Sequence, residues 1–168
     1  AKGKPVVPGT VWAGVFRHHM HGLLRDTGVM ERSGEKKTAQ MLEVDALFGM
    51  DEVNGHKNPQ IIFSESEIEV KKEQKRSVMR TAVERFTASP RNAALFTNMV
   101  YYGGSGVLRI SFNKSLENKY RELLAACICD MHLGLLTVGG EASVGRGLMQ
   151  ITGLKFNECD VFESMKAS

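Results

Sequence analysis

From Ser115 to Leu136 the residues Leu116, Tyr120, Leu123, Leu124, Cys127, Met131 and Leu135 recur at steps of three or four. That spacing lays one apolar stripe along an α-helix and predicts a helix that faces the core. The helix runs into TVGGEASVGRGLMQITG, Thr137 to Gly153. The first half of that stretch is rich in bare backbone. The second half opens a segment, Leu148 to Phe156, that reads as a strand with Met149, Ile151 and Leu154 as its buried register. The fold therefore has to join a long core helix to a strand through a glycine-rich connection.

Glycine is used where the chain takes φ > 0 or where another molecule approaches the main chain closely. Gly139, Gly140, Gly145 and Gly147 either form a flexible turn or present N–H groups to an anion, with Arg146 able to fork onto a phosphate. The segment alone leaves both readings open.

Elsewhere, Pro8, Gly9 and Thr10 predict a turn with Thr10 as N-cap, and Val11, Trp12, Val15, Phe16, Leu23 and Leu24 predict a helix reaching Arg25. Asp26 to Lys37 reads as a loop, and Thr38 to Phe48 as a second helix ended by Gly49. Ile61 to Phe63, then Ile68 alternating with Val70, give strand signals, while KKEQKRSVMR reads as solvated surface. Ser89 and Pro90 break the next segment into two extended arms, which predicts a projecting hairpin at about 84–104. Gly106 to Phe112 alternates as a strand.

This order predicts an α+β fold with a ferredoxin-like βαββαβ core and an insertion at about 26–58, all within one domain spanning 1–168. Such a core needs a strand before its first helix. The ten residues ending at Thr10 scarcely supply one, so the first strand is expected to be missing from the chain as given.

At 168 residues and 42% apolar, the chain can bury a full core. A net charge of +3 permits nucleic-acid binding without requiring it. Cys127, Cys129 and Cys159 form no CxxC pair and are odd in number, which speaks against a disulfide framework or a zinc knuckle and for a reducing compartment; Cys127 and Cys129, two apart in a helical pattern, read as buried structural thiols. Neither a signal peptide nor a bilayer-length apolar run is visible, so no membrane partner and a cytoplasmic location are expected.

Free N–H groups at a helix start attract phosphate, which marks Gly9 and Thr10, although Thr10 could equally serve only as a cap. Arg17 suits either a phosphate contact or a surface ion pair. His18 and His21 share a helix face, but no carboxylate or cysteine ligand accompanies them or His19, so no metal is expected. Surface histidines, RNA contacts and a general base remain as readings. Arg80 and Arg85 with Phe86 interleave cations and an aromatic, the combination that tracks a nucleic-acid backbone and stacks on bases, though Phe86 fits a core as well. Arg91 follows the Pro90 breaker near the hairpin tip. Asp26, Asp45 and Asp51 fall in no catalytic pattern and read as structural or solvated. No catalytic residue is assigned and no cofactor is expected.

Three blocks in this order resemble the RAMP superfamily of CRISPR systems, in particular the repeated backbone subunit of type III (Csm/Cmr-like) effector complexes. PVVPGTVWAGVFRHHM is similar to the family's proline-glycine-hydroxyl turn and glycine-containing helix, matched by Gly9, Thr10, Gly14 and Arg17. RTAVERFTASPRNAALF resembles the approach to the family's thumb hairpin. Gly139, Gly140, Ser143, Gly145 and Gly147 match the signature GGxxSxGxG. The blocks extend from about Pro5 to Ile151.

The resemblance implies an RRM-like core, crRNA bound along the subunit's face and copies stacked head-to-tail beside other type III subunits. It also implies a thumb that interrupts the guide–target RNA duplex. Ala13 stands where family members often carry a lysine. The catalytic aspartate of target-cleaving members lies upstream of the proline-glycine turn, where this sequence has no residue, so cleavage is left without an assignment. The alternative is a metal-independent endoribonuclease that processes CRISPR repeat RNA, sharing the glycine-rich loop and using a histidine as base. A ferredoxin-like regulatory or small-molecule module would leave the order of the three blocks unexplained.

Overall fold

The computed structural model describes residues 4–26, 39–49, 51–52, 55–56, 58–83, 90–157 and 159–160. In chain order the elements are β1 (Val6–Val7), α1 (Gly9–Asp26), α2 (Ala39–Leu47), β2 (Asp51–Glu52), β3 (Gly55–His56), β4 (Ile61–Phe63), β5 (Ser66–Glu69), β6 (Lys75–Val83), β7 (Pro90–Tyr101), β8 (Ser105–Gly106), β9 (Ile110–Phe112), α3 (Asn118–His132), β10 (Lys155–Phe156) and β11 (Cys159–Asp160). All strand pairs among the described residues are antiparallel, and a run of strands lies between the two N-terminal helices and α3, as in an α+β chain. Contacts divide the chain into two compact units: Ala1–Val7 with Glu65–Leu108, and Pro8–Ser64 with Arg109–Ser168.

The second unit holds the larger core. Trp12, Phe16 and Met20 lie four residues apart on α1 and are buried, so they form one stripe along the helix. Leu124, Cys127 and Met131 form the matching stripe on α3, and Leu116 is buried ahead of that helix. Val44 and Leu47 of α2, Ile61 and Phe63 of β4, and Leu136 and Val138 beyond α3 are also buried. Burying side chains of this size contributes about 1.5–3 kcal/mol each. The Phe63 ring lies 4.9 Å from that of Phe16 and 6.0 Å from that of Phe48. β4 pairs with β9 in the register Ile61↔Phe112 and Phe63↔Ile110, which turns Ile62 and Ser111 outward. α2 ends before Gly49, whose φ of +77° suits glycine, as the sequence predicts.

Several expectations for this unit need correction. The first helix begins at Gly9, and the Pro8 carbonyl accepts from the Val11 and Trp12 amides. Thr10 therefore sits inside the first turn and is not the N-cap. The predicted apolar face of α1 omitted Met20, which is fully buried. α3 stops at His132, leaving Leu135 outside the helix and 68% exposed. No strand runs over Leu148 to Phe156. Leu148 makes a single bridge to Thr137, and only Lys155–Phe156 pairs further, with Cys159–Asp160. A strand needs a neighbour to pair with, and between those two contacts the segment has none among the described residues; there the Ile151 carbonyl accepts from His132 Nδ1 at 2.9 Å.

In the first unit β1 pairs with β5, and β5 pairs with β8. A strand thus does precede α1, where none was expected, although it has only two residues. Lys4 flanks it, 3.5 Å from Glu67 and 3.8 Å from Glu69. Gly104 runs against β5 with φ +107°, and a Cβ there would lie 2.9 Å from the Glu69 carbonyl oxygen. β6 and β7 form a long hairpin registered from Lys75↔Tyr101 to Val83↔Pro90, with an irregularity between Thr81 and Val83. The hairpin starts earlier than the sequence suggests, because the charged KRSVMR stretch is itself strand. Tyr101 and Tyr102 carry Lys75 and Arg76 over their rings at 5.8 and 5.4 Å. Predicted as one strand, Gly106 to Phe112 is instead split into β8 and β9, which belong to different units.

Candidate nucleic-acid interface

Within the second unit, α1 and the segment after α3 enclose an open concavity of about 360 Å³. Gly14, Val15, His18 and His19 supply one wall; Leu135, Leu136, Thr137 and Gly139 supply the other. The buried stripe at positions 12, 16 and 20 turns positions 14 and 18 outward, a consequence of the 3.6-residue turn. Nothing lies within 4 Å of where a Cβ on Gly14 would be, so this wall is bare. His19 Nε2 approaches Asp130 Oδ2 of α3 at 2.6 Å, which ties the two helices together beside the concavity.

The glycine-rich loop is closed at its base by the Thr137–Leu148 bridge and by the Val138 amide donating to the Gly147 carbonyl at 2.8 Å. Its glycines have different causes. Gly147 has φ +76°, and a Cβ there would collide with the Val138 backbone, so packing demands glycine. Gly139 and Gly145 have φ of +87° and +76° but open space around them. Gly140 has open space and no positive φ, and is exposed. Glu141 also takes the left-handed conformation at φ 65°, and its carboxylate pairs with the Arg146 guanidinium. Ser143 is exposed in the short 3-10 turn Ala142–Val144.

The structure brings only some of the predicted residues together. His18 and Gly139 meet at the concavity, and Gly140, Ser143, Gly145, Arg146 and Gly147 belong to the loop that continues from it. Gly9 is placed by packing, because a Cβ would collide with the Phe63 carbonyl oxygen. Thr10 is exposed beside it. Arg17 Nε lies 3.9 Å from Asp45 Oδ1, and His21 Nε2 lies 3.2 Å from the same oxygen. Asp45 is 3% exposed, so these contacts hold α2 against α1; of the structural and solvated roles left open by the sequence, its burial fits the structural one. Arg80 is half-buried on β6, and Arg91 belongs to β7, both in the first unit. Arg85 and Phe86 lie outside the described residues.

Other titratable groups have structural causes. Burial, reinforced by the Asp130 charge, pushes the Cys127 thiol up to about 12, which suits an inert core thiol. The Tyr120 hydroxyl donates to Glu43 at 2.7 Å and Lys119 Nζ donates to it at 3.2 Å, joining α3 to α2. Those two bonds hold the Glu43 carboxyl below its usual range, Tyr120 first. Among the described residues no three His, Cys, Asp or Glu side chains are grouped to hold a metal, and no helix is long and apolar enough to cross a membrane.

Asp130 and Glu141 were not singled out from the sequence. Asp130 is 111 positions from His19, and no local pattern announces such a pair. Glu141 did carry a signal, an acid five residues before the loop's cation.

No curated protein matches the chain. The family model described as RAMP superfamily matches residues 1–150, which include α1, both hairpin arms, α3 and the whole glycine-rich loop. The chain therefore belongs to the RAMP superfamily, the CRISPR-associated proteins that bind CRISPR RNA within effector complexes.

Proposed function

We propose that the chain is a crRNA-binding backbone subunit of a type III CRISPR effector complex, repeated head-to-tail along the guide RNA in the cytoplasm. The observation that carries this reading is the concavity where His18 and Gly14 of the first motif block face Gly139 of the last, more than a hundred residues away in sequence. Two distant motifs of an RNA-binding family sharing one open surface support a ribose-phosphate track there. The fold that accompanies this reading is a ferredoxin-like core made of α1, β4, β9 and α3, with β6 and β7 as the thumb. Thr10, Arg17, Arg80, Arg85 and Arg91 are then secondary contacts to guide or target.

The test is retardation of guide-length single-stranded RNA by the purified chain. Binding should tighten as salt falls, with a log–log slope of about −0.7 per phosphate neutralised. Failure to bind at low salt would remove the reading.

A second reading, a metal-independent endoribonuclease acting on CRISPR repeat RNA, draws on the two imidazoles at the same concavity, His18 and the Asp130-paired His19. A carboxylate on one ring nitrogen orients an imidazole as a base. Incubation with repeat RNA decides it: cleavage that disappears in a His18→Ala/His19→Ala variant still able to bind RNA would replace the scaffold reading.

A further inference from the structure

Arg146 is the one cation between Thr137 and Gly153, and it is already engaged. Its guanidinium pairs with the Glu141 carboxylate across the loop, and the Arg146 amide also donates to the Glu141 carbonyl at 3.4 Å. Glu141 reaches this position from a left-handed backbone, at φ 65°, a conformation that non-glycine residues seldom adopt. The turns Val144 amide to Glu141 carbonyl, 3.1 Å, and Gly145 amide to Ala142 carbonyl, 2.9 Å, fold the loop so that positions 141 and 146 oppose each other. One carboxylate oxygen, Glu141 Oε2, meets Arg146 Nη1 and so places on the guanidinium the negative charge that a phosphate oxygen would present.

We infer that Glu141 is an internal competitor for the phosphate site of the loop: in the free protein its carboxylate holds the Arg146 position that an RNA phosphate takes in the complex. The inference rests on the RNA-binding reading above and adds the residue that sets its strength. Binding exchanges one anion for another on Arg146, so the loop contributes less than a bare arginine would. It also discriminates against single anions, which displace Glu141 without the help of neighbouring contacts. Side-chain exposures of 41% for Glu141 and 25% for Arg146 leave room for that exchange.

The experiment measures the affinity of a fluorescent single-stranded RNA of guide length for the purified full chain across a salt series. Glu141→Gln is expected to tighten binding about two- to fivefold at low salt, the range of one exposed ion pair, and to steepen the salt dependence. Glu141→Asn serves as the second variant, because asparagine tolerates left-handed backbone. Arg146→Gln is expected to weaken binding and to erase the effect of Glu141→Gln in the double variant.

If Glu141 only shapes the loop, its loss weakens binding or leaves it unchanged while Arg146→Gln still weakens it. That overturns the competitor and spares the RNA reading. Arg146→Gln without effect overturns the competitor as well, since no phosphate then sits there. A wild-type chain that binds no RNA overturns both.

Discussion

The turn at Pro8–Gly9 and the loop from Gly139 to Gly147 both carry glycines that match family motifs, but their glycines meet different surroundings. At Gly9 the missing side chain makes room for the Phe63 carbonyl, so the residue is needed where helix α1 starts against strand β4. In the loop, only Gly147 is fixed by a neighbouring backbone; Gly139, Gly140 and Gly145 open onto empty space. A conserved-looking glycine motif therefore mixes positions that serve packing with positions that leave main chain accessible. Only the second kind is informative about a ligand.

Substitutions can break that distinction. Gly147→Ala combines positive φ with a collision against Val138 and should destabilise the fold most, by about 2–5 kcal/mol in urea unfolding. Gly9→Ala, with the collision alone, should cost about 1–3 kcal/mol by the same measurement. Gly140→Ala should change stability by less than about 0.5 kcal/mol. Its readout is RNA affinity, which should fall although the fold is intact. Equal losses of stability at positions 9 and 140 would erase the contrast between the two regions, and unchanged affinity at 140 would place the RNA elsewhere.

Periodicity made the helices legible, because a stripe such as Leu124, Cys127 and Met131 is a local property of the sequence. It failed where a partner from elsewhere decided the outcome. Leu148 to Phe156 alternates like a strand, but among the described residues only Leu148 and Lys155–Phe156 find a paired segment, and alternation carries no information on whether a partner strand is there. The start of β6 was hidden because KRSVMR carries charge on a hairpin that leaves Met79 71% exposed, so burial left no alternation to read. The candidate interface was legible in its motifs and not in its pairings. For Arg17 the sequence leaves a phosphate contact and an ion pair open, and only the fold names the partner, Asp45 of another helix at 3.9 Å; Arg146 looks like a free cation until Glu141 folds back onto it.

Helix α1 carries Trp12, Phe16 and Met20 on one side and Gly14 and His18 on another. Whatever occupies the concavity leans on a rod that the hydrophobic interior also needs. By mass action an occupant selective for the folded form must raise the melting temperature. Mutational drift is correspondingly confined: changes of specificity are open to positions 14 and 18, while a change at 12, 16 or 20 alters recognition and foldedness together.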